Sequence, residues 1–119
     1  MTANQPQTIA PQALPEVINR YLTAHRAHDK TTACSAFTPD ATVVDDGNSY
    51  DGSAAIEEWL NRSATEFTYT IELTAAQRLD ATHYIATQHL EGDFPGGTVD
   101  LRYRFTVRGD MIEHLVIAP

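Results

Sequence analysis

Apolar side chains recur at two different spacings along the chain, helical near its start and strand-like in its second half. The early stripe consists of Leu14, Val17, Ile18, Tyr21, Leu22 and His25. Positions three and four residues apart lie on one face of a helix, so this stripe predicts a helix from residue 14 to about residue 28. Residues 1–12 lack such a period and contain two prolines, which predicts a flexible arm before a single domain over residues 13–119.

Two further helices and a strand are predicted in the first half of the chain. Asp29 is a suitable N-cap for a short helix that ends near Phe37. The segment Ala41–Asp45 predicts a strand, and the residues between it and Ser53 predict a loop. Ser53 is a suitable N-cap for a third helix, which extends to about Arg62.

The second half of the chain alternates apolar and polar residues with a period of two. The alternating segments are Phe67–Leu73, Tyr84–Leu90, Val99–Val107 and Met111–Ile117. Glycine-containing turns separate the last three segments, as in hairpins. Helices followed by such a meander predict an α+β fold in which the helices pack on one face of a curved, mainly antiparallel sheet.

Composition and charge restrict the partners that this chain can have. The 119 residues carry a formal net charge of −8, and the eight lysines and arginines are scattered along the sequence. Nucleic acid and anionic membranes are therefore not expected partners. No segment approaches the roughly 18 apolar residues of a membrane span, and the first residues lack a charged-then-apolar leader pattern. We expect a soluble, cytoplasmic protein.

Neither a metal nor an organic cofactor is predicted. Cys34 is the only cysteine, which excludes an internal disulfide and a thiolate metal cluster. His25, Asp45 and His114 could supply imidazole and carboxylate ligands, but the sequence has no short ligand motif such as His-Glu-x-x-His. No glycine-rich phosphate loop follows a strand, so a nucleotide cofactor has no support.

Two adjacent carboxylates end the first predicted strand, which is unusual because aspartate is depleted in strands. Asp45 lies two residues after Val43, so their side chains point to the same face of the strand. If Val43 faces the interior, Asp45 therefore lies among apolar groups. Such surroundings disfavour the charged form of a carboxyl group and make it useful for proton transfer. The alternative is that Asp45 and Asp46 are both exposed turn residues before Gly47.

Several blocks of this sequence resemble the cone-shaped superfamily of the ketosteroid isomerases, the SnoaL-like polyketide cyclases and nuclear transport factor 2. The blocks are Arg20-Tyr21-Leu22, Phe37-x-x-Asp40-Ala41-Thr42-Val43-Val44-Asp45, Gly52-x-x-x-Ile56-x-x-Trp59 and Gly109-Asp110-Met111-Ile112-Glu113-His114. The resemblance covers nearly the whole chain from Leu14. It implies a cone in which N-terminal helices pack in the concave face of the sheet, and a homodimer formed through the sheet.

The resemblance also implies roles for individual residues. Asp45 falls at the position of the general base, and Tyr21 at that of the tyrosine that donates to the substrate oxygen. The second carboxylate of that site falls on Leu101, so steroid isomerisation itself is not expected. His114 has the parity of Ile112 and would face the interior of the cone as an assisting group. Each of these side chains could instead be an ordinary part of the core.

The same resemblance suggests the walls of a ligand cavity. The expected wall residues are His25, Trp59, Phe67, Tyr84, Leu101, Tyr103 and Val116. Aromatic and aliphatic walls with a few polar groups suit a small hydrophobic ligand. His83 and His89 would lie on the opposite face of the sheet, at the dimer interface or in solvent.

Two functions follow from these expectations. The first is an isomerase-type or cyclase-type enzyme that uses acid–base chemistry, without a cofactor, on a small hydrophobic carbonyl compound. Asp45 would be its base, Tyr21 its oxygen-side donor and His114 an assisting group. The alternative is a non-catalytic module of the same fold that binds a small molecule or mediates dimerisation.

Overall fold

A computed structural model describes residues 6–65 and 69–119, without the side chains of residues 63–65. Its helices are α1 (Glu16–Arg26), α2 (Lys30–Ser35) and α3 (Gly52–Thr65). Its strands are β1 (Gln7–Ile9), β2 (Phe37–Asp45), β3 (Asn48–Asp51), β4 (Tyr69–Arg78), β5 (His83–Gly92), β6 (Thr98–Arg108) and β7 (Met111–Ala118). No helix among these residues is long and apolar enough to cross a bilayer.

The seven strands form one sheet in the order β1-β4-β5-β6-β7-β2-β3. All neighbours pair antiparallel except β2 and β7, which run parallel. This arrangement confirms the predicted α+β class and the mainly antiparallel sheet. The helical stripe of α1 buries Val17, Ile18, Tyr21 and Leu22 completely or nearly so, and α3 buries Trp59 beside them in one core.

Asp29 caps α2 as predicted, because its side chain accepts a hydrogen bond from the backbone N–H of Thr32 at 3.2 Å. This bond satisfies one of the N–H groups that a helix leaves without a partner at its start. Helix α2 lies beside α1 and α3 and leads directly into β2. The predicted order of elements up to the first long strand is therefore correct.

Two short strands lie where the sequence predicted an arm and a loop. Strand β1 pairs with the end of β4, so the described part of the predicted arm is hydrogen-bonded to the sheet. Strand β3 pairs with β2 across the two-residue turn Asp46-Gly47, whose φ values of 54° and 77° suit an Asp-Gly hairpin. Both strands lie at sheet edges and are held by backbone hydrogen bonds. Because such bonds do not require apolar side chains at alternate positions, the sequence pattern does not reveal these strands.

A bulge in β7 changes which of its side chains face the helices. Ile112 pairs with Val107 and His114 pairs with Thr106, so Glu113 is an additional residue in β7. Beyond this point the inward positions of β7 are Leu115 and Ile117, both buried. The simple alternation read from the sequence is therefore reversed after Ile112.

Candidate functional site

A cavity of about 760 Å³ lies between the inner face of the sheet and the helices. Its walls are mainly aromatic and aliphatic. The residues that matter for its chemistry are His25 from α1, Asp45 from β2, Trp59 from α3, Tyr69 from β4, and Leu101 and Tyr103 from β6. Neither lysine nor arginine lines this cavity among the described residues, whereas Asp45 and Asp46 both do.

Asp45 is held at the cavity by the end of β2 and by α3. In the parallel pairing of β2 with β7 it lies beside Ile117, which is an inward position. The indole N–H of Trp59 donates a hydrogen bond to Oδ2 of Asp45 at 3.0 Å. Because Trp59 is itself only 3% exposed, it fixes the carboxylate against the cavity wall.

His25 lies between two aromatic rings. It stacks on Tyr21 with ring centroids 5.6 Å apart, and on Trp59 at 6.2 Å with the ring planes only 10° from parallel. Burial, assisted by the nearby His28, lowers the pKa of His25 to about 4. The imidazole is therefore neutral at neutral pH, so it offers one N–H donor and one nitrogen acceptor.

Three tyrosines lie close enough to Asp45 for its charge to affect them. Burial raises the pKa of Tyr21, Tyr69 and Tyr103, and the negative charge of Asp45 raises each of them further. Their hydroxyl groups therefore remain protonated at neutral pH and can donate hydrogen bonds. Tyr21 is completely buried, and its hydroxyl has no hydrogen-bond partner among the described residues.

The structure brings together five of the residues that the sequence singled out. Asp45, His25, Trp59, Leu101 and Tyr103 all line the cavity. The predicted oxygen donor, Tyr21, packs behind this wall and does not line it. The predicted wall residue Phe67 lies outside the described residues.

The prediction that His114 and Val116 face the interior is wrong. His114 pairs with Thr42 and Val116 with Val44, and residues directly opposite in a sheet share a face. Both side chains line a different groove, of about 1080 Å³, on the outer face of the sheet. The bulge at Glu113 is the physical reason, because one extra residue sends every later side chain to the other face.

Tyr84 has the predicted parity but does not reach the cavity. It is half-buried at the start of β5 and donates a long hydrogen bond of 3.5 Å to the carbonyl oxygen of Ala81. Leu90, which does line the cavity, lies six residues further along the same strand, roughly 20 Å away. Two residues on one face of a long strand can thus belong to different regions.

Sequence reasoning missed Tyr69 and Phe94 as wall residues. Tyr69 shares the predicted strand face of Phe67, so its parity was an available signal. Phe94 lies in the β5–β6 connection, where no periodic pattern applies. No group of three or more potential metal ligands lies together in the described part of the chain, and His114 lies on the opposite sheet face from His25 and Asp45.

No protein-family model matches the chain, and no curated protein sequence matches it. Solved structures match most of its length. A polyketide cyclase-type protein of Sinorhizobium meliloti is 29% identical over 92% of this chain and 100% of its own, with a TM-score of 0.86. A Catenulispora acidiphila protein with a ketosteroid isomerase-like fold, in complex with trimethylamine, is 20% identical over 88% of this chain and 85% of its own (TM-score 0.77).

A third solved structure, TerC co-crystallised with polyporic acid, is 18% identical over 87% of this chain and 88% of its own, with a TM-score of 0.75. These neighbours share the α+β cone described above, and the sequence blocks around Tyr21, Asp45 and Trp59 resemble the same group. The chain therefore has the α+β fold of the ketosteroid isomerase-like and nuclear transport factor 2-like structures, and its sequence is similar to that of a polyketide cyclase-type protein.

Proposed function

We propose that the chain is an enzyme that isomerises or cyclises a small hydrophobic carbonyl compound by acid–base chemistry without a cofactor. The observation that carries this proposal is the position of the Asp45 carboxylate in an apolar cavity beside protonated tyrosines. A base and hydroxyl donors in the wall of one cavity are the groups that proton abstraction next to a carbonyl needs. The similarity to a polyketide cyclase-type protein supports the same class of reaction.

In the proposed reaction, Asp45 accepts a proton from the carbon next to the carbonyl group. The electron pair of the broken C–H bond moves into the carbon framework, and negative charge develops on the carbonyl oxygen. A tyrosine hydroxyl on the cavity wall stabilises that oxygen by donating a hydrogen bond. Protonated Asp45 then returns its proton to a different carbon, which completes an isomerisation. Trp59 orients the carboxylate throughout through its N–H.

Exchange of α-protons for deuterium tests this proposal without knowledge of the natural substrate. The probe is 2-tetralone in D₂O, followed by ¹H NMR. The wild-type protein should accelerate exchange, and Asp45→Asn should reduce that acceleration by roughly 10²- to 10⁴-fold because it removes the base. The control is Asp110→Asn, the same change in an exposed turn, which should leave the rate unchanged. Equal rates for wild type and Asp45→Asn would refute the proposal.

A second candidate function is binding of an organic cation without catalysis. The observation that favours it is the charge of the cavity, which has two carboxylates, no lysine or arginine among its described walls, and several aromatic faces. Aromatic rings together with a carboxylate suit an alkylammonium group. The Catenulispora protein of the same fold was solved with trimethylamine, which supports this alternative. Saturable calorimetric binding of trimethylamine, lost in Asp45→Asn, would favour it over catalysis.

We further propose that the protein is a homodimer formed through the outer face of the sheet. Arg102 and Arg104 line the outer groove, and neither forms an ion pair with another described residue. Asp100 lies on the same face of β6, so a second copy could supply acidic partners for these arginines. Sedimentation velocity should show a dimer for the wild type and a shift toward monomer for Arg104→Glu. A wild-type monomer at all concentrations would contradict this proposal.

A further inference from the structure

Two buried polar groups next to the cavity have no assigned partner. The hydroxyl of Tyr21 and the amide nitrogen of Gln88 form no hydrogen bond with any described residue. Tyr21 is 0% exposed and Gln88 is 2% exposed. Buried donors without partners are rare in native proteins and need an explanation, such as a bound group or a role in the site.

Gln88 belongs to the inner face of β5, at the level of the cavity. It pairs directly with Leu101 of β6, and directly opposite residues share a face of the sheet. Leu101 lines the cavity but has only apolar side-chain atoms. Of these two paired residues, only Gln88 therefore has a polar side-chain group on the inner face of the sheet.

Tyr103 connects both buried donors to the cavity. Its side chain is 2% exposed and lines the cavity wall, two residues beyond Leu101 on the same face of β6. The Gln88 side chain lies beside the Tyr103 hydroxyl, where it opposes the rise in pKa that burial causes. Tyr103 is also the strongest electrostatic neighbour of Tyr21. Tyr103 is thus a residue of the cavity wall that has both buried donors as neighbours.

We propose that Tyr103 is the residue that donates a hydrogen bond to the substrate oxygen, and that Gln88 and Tyr21 position its hydroxyl. A phenol oxygen can accept hydrogen bonds while its proton is donated elsewhere. In the substrate complex, small rotations would let an N–H of Gln88 and the O–H of Tyr21 donate to the oxygen of Tyr103, which leaves its proton for the substrate. A hydroxyl that accepts hydrogen bonds in this way is also a stronger donor.

This assignment rests on the proposed function, because it gives the carbonyl oxygen of that reaction its partner. It also changes the role that the sequence suggested for Tyr21. A residue with no exposed surface and no place in the cavity wall acts through Tyr103, so Tyr21 is a positioning residue here. Gln88 has the same role.

Binding of 4-nitrophenol tests the assignment independently of turnover. Its phenolate resembles an enolate oxygen, and absorbance near 400 nm reports the ionised fraction of the bound probe. All variants are made in the Asp45→Asn background, so that the carboxylate does not repel the phenolate. Tyr103→Phe should weaken binding at least tenfold, since it removes the donor to a charged oxygen. Gln88→Met should weaken it by roughly threefold to tenfold and reduce the bound phenolate fraction.

The matched control is Gln77→Met, the same change on the outer face of the neighbouring strand β4, which should alter neither quantity. Circular dichroism checks that each variant is folded, and if Tyr103→Phe fails this check, the Gln88→Met and Gln77→Met pair decides. Unchanged binding in Tyr103→Phe, equal behaviour of the two glutamine variants, or absence of probe binding would each overturn the assignment. Loss of deuterium exchange with intact probe binding would instead overturn only the proposed reaction.

Discussion

The two faces of the sheet are built from the same strands but differ in their chemistry. On the inner face, β6 contributes Leu101 and Tyr103 to a cavity that contains Asp45. On the outer face, the same strand contributes Arg102 and Arg104 to a groove of about 1080 Å³. Alternation along the strand separates an aromatic environment with carboxylates from a surface where Arg102 and Arg104 form no ion pair with another described residue. Whether a residue of β6 belongs to the inner cavity or to the outer groove therefore depends on which face of the strand it occupies as much as on its type.

Hydrogen bonds to carboxylates also differ between the faces. Outer-face pairs such as His89 with Asp100, at 2.7 Å, lie in solvent. Asp100 and Glu91 raise the pKa of His89 through these contacts. The bond from Trp59 to Asp45 is instead partly buried, because its donor Trp59 lies in the core and its acceptor lies at the cavity wall. The inner bond should accordingly be worth more than any single outer one.

The largest difference should be in packing energy along β7. Leu115 is 0% exposed on the inner face, and its neighbour Val116 lines the outer groove. Leu115→Ala should lower the free energy of unfolding by roughly 2–5 kcal/mol, because it leaves a cavity in the core. Val116→Ala should lower it by less than about 1 kcal/mol. Urea denaturation measures both, and equal losses would contradict the reversal of faces at Glu113.

A smaller difference should separate a partly buried hydrogen bond from an exposed ion pair. Trp59→Phe removes the indole donor to Asp45 and should lower the free energy of unfolding by roughly 1.5–3 kcal/mol. Arg108→Ala removes two solvent-exposed ion pairs, with Asp40 at 3.0 Å and with Glu113 at 3.6 Å, so it should cost less than about 1 kcal/mol. The comparison fails if denaturation at pH 7 shows the arginine variant to be the less stable of the two.

Acid should destabilise the inner face through His25. The pKa of His25 is about 4 in the folded chain and about 6.5 when unfolded, so the unfolded chain binds the proton more readily. The free energy of unfolding should therefore fall as the pH drops from 6.5 to 4, by roughly 1–3 kcal/mol from this residue. His25→Phe keeps a ring between Tyr21 and Trp59 but cannot titrate. Denaturation at several pH values should show a shallower decline for this variant, and parallel curves would exclude a lowered pKa of His25 in the folded chain.

The smallest effect on stability should come from the outer arginines. Arg104 is exposed and forms no ion pair with a described residue, so Arg104→Glu should change the free energy of unfolding of the monomer by no more than about 0.5 kcal/mol. Thermal unfolding at low protein concentration measures this change. A loss of several kcal/mol would mean that the outer face belongs to the core, and the contrast between the faces would disappear.

Part of the site could be predicted from local sequence and part could not. Parity correctly placed Asp45, Leu101 and Tyr103 on one face, because these strands are regular where those residues lie. Parity failed for His114 because the bulge at Glu113 is set by pairing with β6 and leaves no mark in the apolar pattern. Strand parity was also insufficient for Tyr84, since sharing a face with the cavity residues does not determine how far along β5 a residue lies from the cavity.

The sequence by itself determined the fold class and the order of the long elements, and it predicted a carboxylate at the cavity with an exposed turn as the alternative. These predictions follow from the spacing of apolar residues, from the Asp29 cap and from blocks of residues that resemble proteins of the cone-shaped superfamily. Only the tertiary structure decided that Trp59 binds Asp45, that His25 is neutral between two rings, and that Gln88 and Tyr21 lie behind Tyr103. Those relations join side chains from different elements, and their burial and distances exist only when helices and sheet close around one cavity.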